Sequence, residues 1–215
     1  MSRNKYPEVT IERILDVSLK LFLEKGYEQT TIQDIVDELG DLSKGAIYHH
    51  FKGKEEIIDA VTTRLFMKDN PFEKVKNDFS LNGIEKIQKI FENAMINNDR
   101  KKLIQFATAI LKSPKFLAKQ IEECITILAP KFQELIEEGV RDGSIHISNP
   151  KQASEILILI INIWLNPAIF NVSEGEYIEK IKYFKIVMDQ IGLPIVTDEF
   201  INEFSKTINK TKVDD

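Results

Sequence analysis

Apolar side chains recur at helical spacing along almost the whole chain while strand-like alternation is hard to find, and this restricts the chain to an all-α fold. From Val9 to Lys25, the residues Ile11, Ile14, Leu15, Ser18, Leu21 and Phe22 share one face, and Gly26 offers a C-terminal stop. The next segment, TTIQDIVDELG, sets Thr31 ahead of Asp34 as a capping box, with Ile32, Ile35, Val36 and Leu39 on one side and Gly40 at the end. Ser43 caps a short helix reaching Phe51, Lys52 and Gly53 break it, and a further helix runs from Lys54 to Met67 with Ile57, Ile58, Val61 and Leu65 inward.

After Lys68 the texture changes. KDNPFEKVKNDFSLNG reads as a boundary or loosely structured connection, and divides the chain into a module at 1–68 and a larger body at 69–215. Helical patterns follow at 83–98, 101–112, 115–141 with Pro130 kinking the middle, 151–166, 175–191 and 198–209. The spacing does not say whether the last of these packs on its own chain or on a second copy. The longest apolar block, ILILIINIWL, is about half of the roughly 20 residues needed to cross a bilayer, so no membrane partner is expected. MSRNKYPEV has no apolar run after its basic residues, and the single cysteine, Cys124, forms no internal disulfide; both suit a cytoplasmic protein.

The formal net charge is −5, and residues 1–60 hold eight Lys/Arg against twelve Asp/Glu. Yet the stretch LSKGAIYHHFKGK, from Leu42 to Lys54, contains three lysines, a tyrosine and adjacent histidines with no acid. At about 100° per residue, Ile47 and Phe51 fall within about 40° of each other on one side of a helix, and Gly45 and His49 lie opposite. Tyr48 and Lys52 take one flank of that outward face and Ala46 the other. Small residues let a backbone approach base edges, and cationic or hydrogen-bonding side chains at the borders reach phosphates; two short helices with such a face on the second make a helix-turn-helix. A local patch can act against an adverse net charge because fields decay over roughly 8–10 Å. Adjacent histidines diverge by about 100° on a helix, and only His146 exists besides them, so no metal site is expected. No cofactor is expected either.

These residues carry a family resemblance. ILDVSLKLFLEKGYEQTTIQDIVDELG followed by LSKGAIYHHFKGKEEIIDAV resembles the DNA-binding module of the TetR family of bacterial transcriptional regulators, through Gly26-Tyr27, Thr30-Thr31, Asp34-Ile35, Ser43-Lys44-Gly45, Tyr48-His49, Phe51, Lys52 and Lys54-Glu55. Gly40-Asp41-Leu42 departs from the family in carrying one extra residue in the turn. The resemblance implies a three-helix helix-turn-helix module followed by a larger helical domain for effector binding and dimerisation. It implies DNA contacts from Thr30, Thr31, Ser43, Lys44, Gly45, Ala46, Tyr48, His49 and Lys52, with Thr31 and Lys54 on phosphates. Arg3 and Lys5 are candidates for a short basic arm.

The second half carries no phosphate-cradling glycine loop, HExxH, paired cysteines or nucleophile elbow, so an enzyme is not expected, and Cys124 and His146 alone do not make one. The helices at 151–166 and 175–191 are apolar enough to be either a monomer core or, as the resemblance implies, half of a four-helix bundle across a twofold axis. Phe91, Phe106, Phe116, Phe132, Trp164 and Phe170 are candidates for core or for the lining of an effector cavity. The implied function is a ligand-responsive repressor that binds a palindromic operator as a homodimer and is released by a small-molecule effector. The alternative is a helical dimer that binds small apolar ligands and keeps a vestigial DNA-binding motif.

Overall fold

The computed structural model describes residues 7–67, 71–96 and 100–210, so the arm expected at Arg3 and Lys5 lies outside the described residues. Every element among them is helical, and none of these helices is long and apolar enough to cross a membrane. The chain forms two compact units, one comprising residues 1–70 with 102–113 and the other residues 71–101 with 114–215.

The first unit contains α1 (Pro7–Lys25), α2 (Ile32–Leu39), α3 (Lys44–His50), α4 (Lys54–Met67) and, from residue 102 on, α7 (Arg100–Leu111), the last following α5 (Pro71–Lys76) and α6 (Gly83–Ile96) in the chain. α1 packs against both α2 and α4, and α2 against α3. The stripe expected on α1 is the face that packs: Ile14, Leu15, Ser18, Leu21 and Phe22 are buried. They meet Ile35 of α2, Ile47 and Phe51 at α3, and Ile57, Ile58 and Val61 of α4 in the buried set. Truncating any one of these fully buried aliphatic side chains to alanine removes about 2–5 kcal/mol, so the short α3 is held by its neighbours rather than by its own propensity.

The second unit holds α5 and α6, α8 (Pro114–Glu123), α9 (Ala129–Asp142), α10 (Pro150–Leu159), α11 (Glu174–Gln190) and α12 (Asp198–Lys210). The connection expected to be loose is partly ordered: Pro71 opens α5, whose Val75 is buried. Asn82 and Glu85 then cap α6 reciprocally, with Asn82 Oδ1 accepting from the Glu85 N–H at 3.0 Å and Glu85 Oε2 accepting from the Asn82 N–H at 2.9 Å. α6 crosses α9 at very close range. A Cβ on Gly83 would lie 2.2 Å from the Gly139 nitrogen, so this crossing requires glycine. The Asp142 carboxylate accepts from the Gly83 N–H at 2.7 Å, and buried Lys86 reaches Glu138 at 2.6 Å across the same pair of helices.

Pro130 does not break its helix. It has no N–H for the preceding turn, and the chain widens into π-helical turns at Cys124–Leu128 just ahead of it before α9 continues. A second π segment, Ile160–Trp164, extends α10, where Asn162 Nδ2 donates to the Ile158 carbonyl at 3.0 Å and Asn166 Nδ2 to the Asn162 carbonyl at 3.1 Å. α12 packs on α11 of its own chain: Phe200 and Phe204 stack 5.4 Å apart, with Phe200 against Phe91 and Phe204 against Tyr177.

Candidate nucleic-acid interface

Two caps set where the second and third helices begin. Thr31, in extended backbone, accepts the Asp34 N–H on Oγ1 at 3.1 Å, while the Asp34 carboxylate accepts the Thr31 N–H at 2.7 Å. Gly40 closes α2 at φ 74°, donating to the Val36 carbonyl at 3.0 Å. After Asp41 and Leu42, Ser43 caps α3 by accepting the Ala46 N–H at 3.2 Å. Each cap is worth about 1 kcal/mol. The turn is itself held: the Arg13 guanidinium on α1 donates to both oxygens of Asp41, at 2.9 and 2.6 Å. That pairing raises Arg13 and holds the Asp41 carboxyl below its ordinary range.

α3 buries Ile47 and its C-terminal cap Phe51, and turns Lys44, Gly45, Tyr48 and His49 outward, with Ala46 half-buried at the edge. Tyr48 is 53% exposed, although its ring would gain from burial. The backbone of Gly45 is not in the left-handed region, and a Cβ there would meet only Ser43 Oγ at 3.7 Å. Nothing inside the chain therefore calls for glycine, which costs about 0.5–1 kcal/mol in a helix relative to alanine; what it leaves open is close approach from outside. Lys52 lies just beyond the end of α3, exposed, and its backbone N–H donates to the Glu56 carboxylate at 2.6 Å.

Several acids of the module are neutralised within it. Lys25 pairs with Asp34 at 2.8 Å, Lys20 with Glu38 at 2.5 Å, Arg13 with Asp41, and Arg64 with both Glu12 and Asp16 at 2.9 and 2.8 Å. Exposed pairs of this kind contribute about 0–1 kcal/mol each to stability. Their larger effect is on charge distribution. Of the Lys and Arg side chains described within 7–65, only the ammonium groups of Lys44 and Lys52 have no carboxylate or carbonyl partner. Both border the outward face of α3.

Three expected contact residues are placed differently. Thr30 is fully buried, and its hydroxyl lies 2.8 Å from the Gly26 carbonyl and 3.3 Å from that of Leu21, so its side chain serves the end of α1. Thr31 has both its donors on Asp34, the hydroxyl at 2.7 Å as well as the N–H. A hydrogen bond from Lys25 and two from Thr31 hold that carboxyl well below the ordinary carboxylate range, so it is ionised and competes with any phosphate. Lys54, expected as a phosphate clamp, instead directs Nζ to the carbonyls of Tyr27, Glu28 and Thr30 at 2.6, 3.2 and 2.7 Å, over the face of the Tyr27 ring. An ammonium has three N–H groups, and all three have acceptors here.

Of the residues considered for an effector cavity, Phe91, Phe116 and Phe132 are buried in the second unit and Phe106 is buried in the first. Phe91 packs on Phe184 at 5.5 Å and Phe132 on Phe72 at 4.9 Å, as core aromatics do. Trp164 is half-buried and Phe170 is exposed, with the Lys180 ammonium 4.6 and 4.1 Å from their ring centroids.

Residues 14–61, from the buried Ile14 on α1 to the buried Val61 on α4, match the family described as bacterial regulatory proteins, tetR family. The HTH-type transcriptional repressor KstR2 of Rhodococcus jostii (strain RHA1) is 31% identical over 137 residues, covering 61% of this chain and 65% of that protein. YerO of Bacillus subtilis (strain 168), an uncharacterized HTH-type transcriptional regulator, is 41% identical over 70 residues, or 32% of this chain and 24% of its own. The chain thus spans less than two thirds of the length of either relative. Among solved structures, a transcriptional regulator (TerR/AcrR family) from Aquifex aeolicus VF5 aligns over 83% of this chain and 99% of its own, with a TM-score of 0.52 at 28% identity.

Proposed function

The chain belongs, through its N-terminal module, to the tetR family of bacterial regulatory proteins, and on that premise we propose that it is a cytoplasmic transcriptional repressor that binds a palindromic DNA operator as a homodimer and is released by a small-molecule effector. The observation that carries this reading is the outward face of α3, where Lys44, Gly45, Tyr48, His49 and the adjoining Lys52 stand exposed while nearby cations are paired internally. In this reading α3 enters the major groove with Gly45 and Ala46 against base edges. Tyr48, Lys44 and Lys52 take phosphates, His49 takes a base edge, and Ser43 holds the start of the helix. Thr31 joins them only by exchanging Asp34 for a phosphate. The kinship with a named repressor supports the direction of regulation.

A second copy is supported by the apolar side chains left exposed on the helices expected to pair, Ile156 on α10 and Tyr183 and Ile186 on α11, about half or more of each being accessible. Their pairing would give a mass about twice the 24.8 kDa of one chain, and Ile186→Asp should shift the sedimenting species to one chain.

Selection from random duplexes by the purified protein tests the proposal. It should recover an inverted repeat whose half-site centres lie roughly 34–36 Å apart or at a multiple of that spacing. Failure to enrich any sequence, together with thermal stabilisation by a small apolar compound, would favour an apolar-ligand binder with a vestigial motif.

A further inference from the structure

We infer that Lys54 is a positioning residue for DNA binding: its ammonium ties the start of α4 to the loop that launches α2, and it does not itself hold a phosphate. This rests on the DNA-binding reading above and deepens it. The loop from Gly26 to Thr30 is held from two sides. On one, Thr30 Oγ1 lies within hydrogen-bond distance of the carbonyls of Leu21 and Gly26 near the end of α1. On the other, Lys54 Nζ gathers the carbonyls of Tyr27, Glu28 and Thr30, and lies 4.3 Å from the centroid of the Tyr27 ring. Tyr27 is itself buried against Phe22 of α1, the ring centroids 5.4 Å apart, so the strut ends on core.

The residue that follows this loop is Thr31, the cap of α2, and α2 in turn packs on α3. Moving Lys54 to a phosphate would strip three carbonyls of a charged donor at once, and hydrogen bonds to charged groups are the stronger kind. A phosphate held that way gains an ion pair only by giving up three charge-assisted hydrogen bonds, so the net gain in affinity is small. Left where it is, the ammonium keeps the entry to α2 in one place, and with it the angle at which α3 is presented. Such pre-organisation raises affinity without adding an ion pair.

The salt dependence of binding separates the two roles. Each lysine–phosphate contact contributes a slope of about −0.9 in log K against log salt, whereas a positioning residue contributes none. Lys54→Met and Lys54→Gln in the full-length protein should bind the selected duplex about tenfold more weakly, scaled by the strength of the bonds removed, with the wild-type slope. Amide exchange at Thr31 to Asp34 should also rise by about tenfold.

A slope shallower by about 1.8 per dimer would make Lys54 a phosphate ligand and overturn the inference. Unchanged exchange at Thr31 to Asp34 would also overturn it, as would a lower melting temperature with unchanged affinity. Should both variants fail to fold, the wild-type protein still decides. The ¹⁵N–¹H signal of Lys54 Nζ should be visible in the free protein and keep its position when duplex is added, and a scalar coupling from it to phosphorus would refute the assignment. If the wild-type protein binds no duplex at all, the proposed function fails, while the exchange measurement still tests whether Lys54 holds the loop.

Discussion

Replacing both Lys44 and Lys52 with alanine should remove most of the salt dependence of DNA binding, and the size of the effect follows from the ion-pair pattern. These two ammonium groups are the ones near α3 with no internal partner, and a dimer presents four of them. At about −0.9 per phosphate contact, four contacts carry a slope of about −3.6 and, at about 0.1 M salt, roughly three to four decades of affinity. Both side chains are exposed, so the melting temperature should barely move. Fluorescence anisotropy with the selected duplex at several salt concentrations gives the slope directly. Lys20→Ala is the control. Its ammonium is 2.5 Å from Glu38, so its removal unmasks an acid without taking away a free cation. A wild-type slope in the double variant, or an equally flattened slope in Lys20→Ala, would show that Lys44 and Lys52 do not carry the phosphate contacts.

Gly45→Ala meets no atom of the chain closer than 3.7 Å, so thermal denaturation should show stability unchanged or raised by up to about 1 kcal/mol, while anisotropy shows weaker DNA binding; equal or tighter binding would remove the case for close approach at that residue. Gly83→Ala puts a methyl group 2.2 Å from the Gly139 nitrogen and should cost about 3 kcal/mol in urea unfolding, the upper range for overpacking. The Asp34 carboxyl is held well below its ordinary 3.8 by Lys25 and Thr31. A depressed acid contributes stability that is fully present above the ordinary value and is lost as pH falls through the folded one. Asp34→Asn should therefore lower the melting temperature at pH 7 and flatten its decline in acid below pH 3.8, and an acid limb as steep as that of the wild type would contradict the pairing.

Much of this architecture is written in local pattern. The stripe read from Ile11 to Phe22 anticipates the buried face of α1 from Ile14 onward, Ile11 itself being half-buried, and Thr31 and Ser43 are the caps that the sequence marks, because a cap acts over three residues. The outward set on α3 follows from the same arithmetic, since burying Ile47 and Phe51 leaves Gly45, Tyr48 and His49 facing away. What escapes periodicity is chemistry between residues far apart in the chain. Lys54 finds its carbonyl partners 24 to 27 residues earlier, and Arg13 finds Asp41 28 residues later. Thr30 and Thr31 are adjacent and equally polar in the sequence, yet one is sealed in the core and the other is exposed, because the loop after Gly26 turns Thr30 back toward the end of α1. The π turns at Cys124–Leu128 and Ile160–Trp164 are signalled only obliquely, by Pro130 in the first case and by Asn162 and Asn166 in the second. α5 escapes as well, although Phe72 and Val75 share a helical face after Pro71, because six residues give periodicity little to work on.

Lysine labelling read by mass spectrometry, with and without the selected duplex, tests most directly whether the exposed face of α3 is what grips DNA. Lys44 and Lys52 should be strongly protected on adding duplex, with Lys182 on α11 labelled equally in both states. Protection elsewhere while Lys44 and Lys52 stay reactive in the bound state would contradict it.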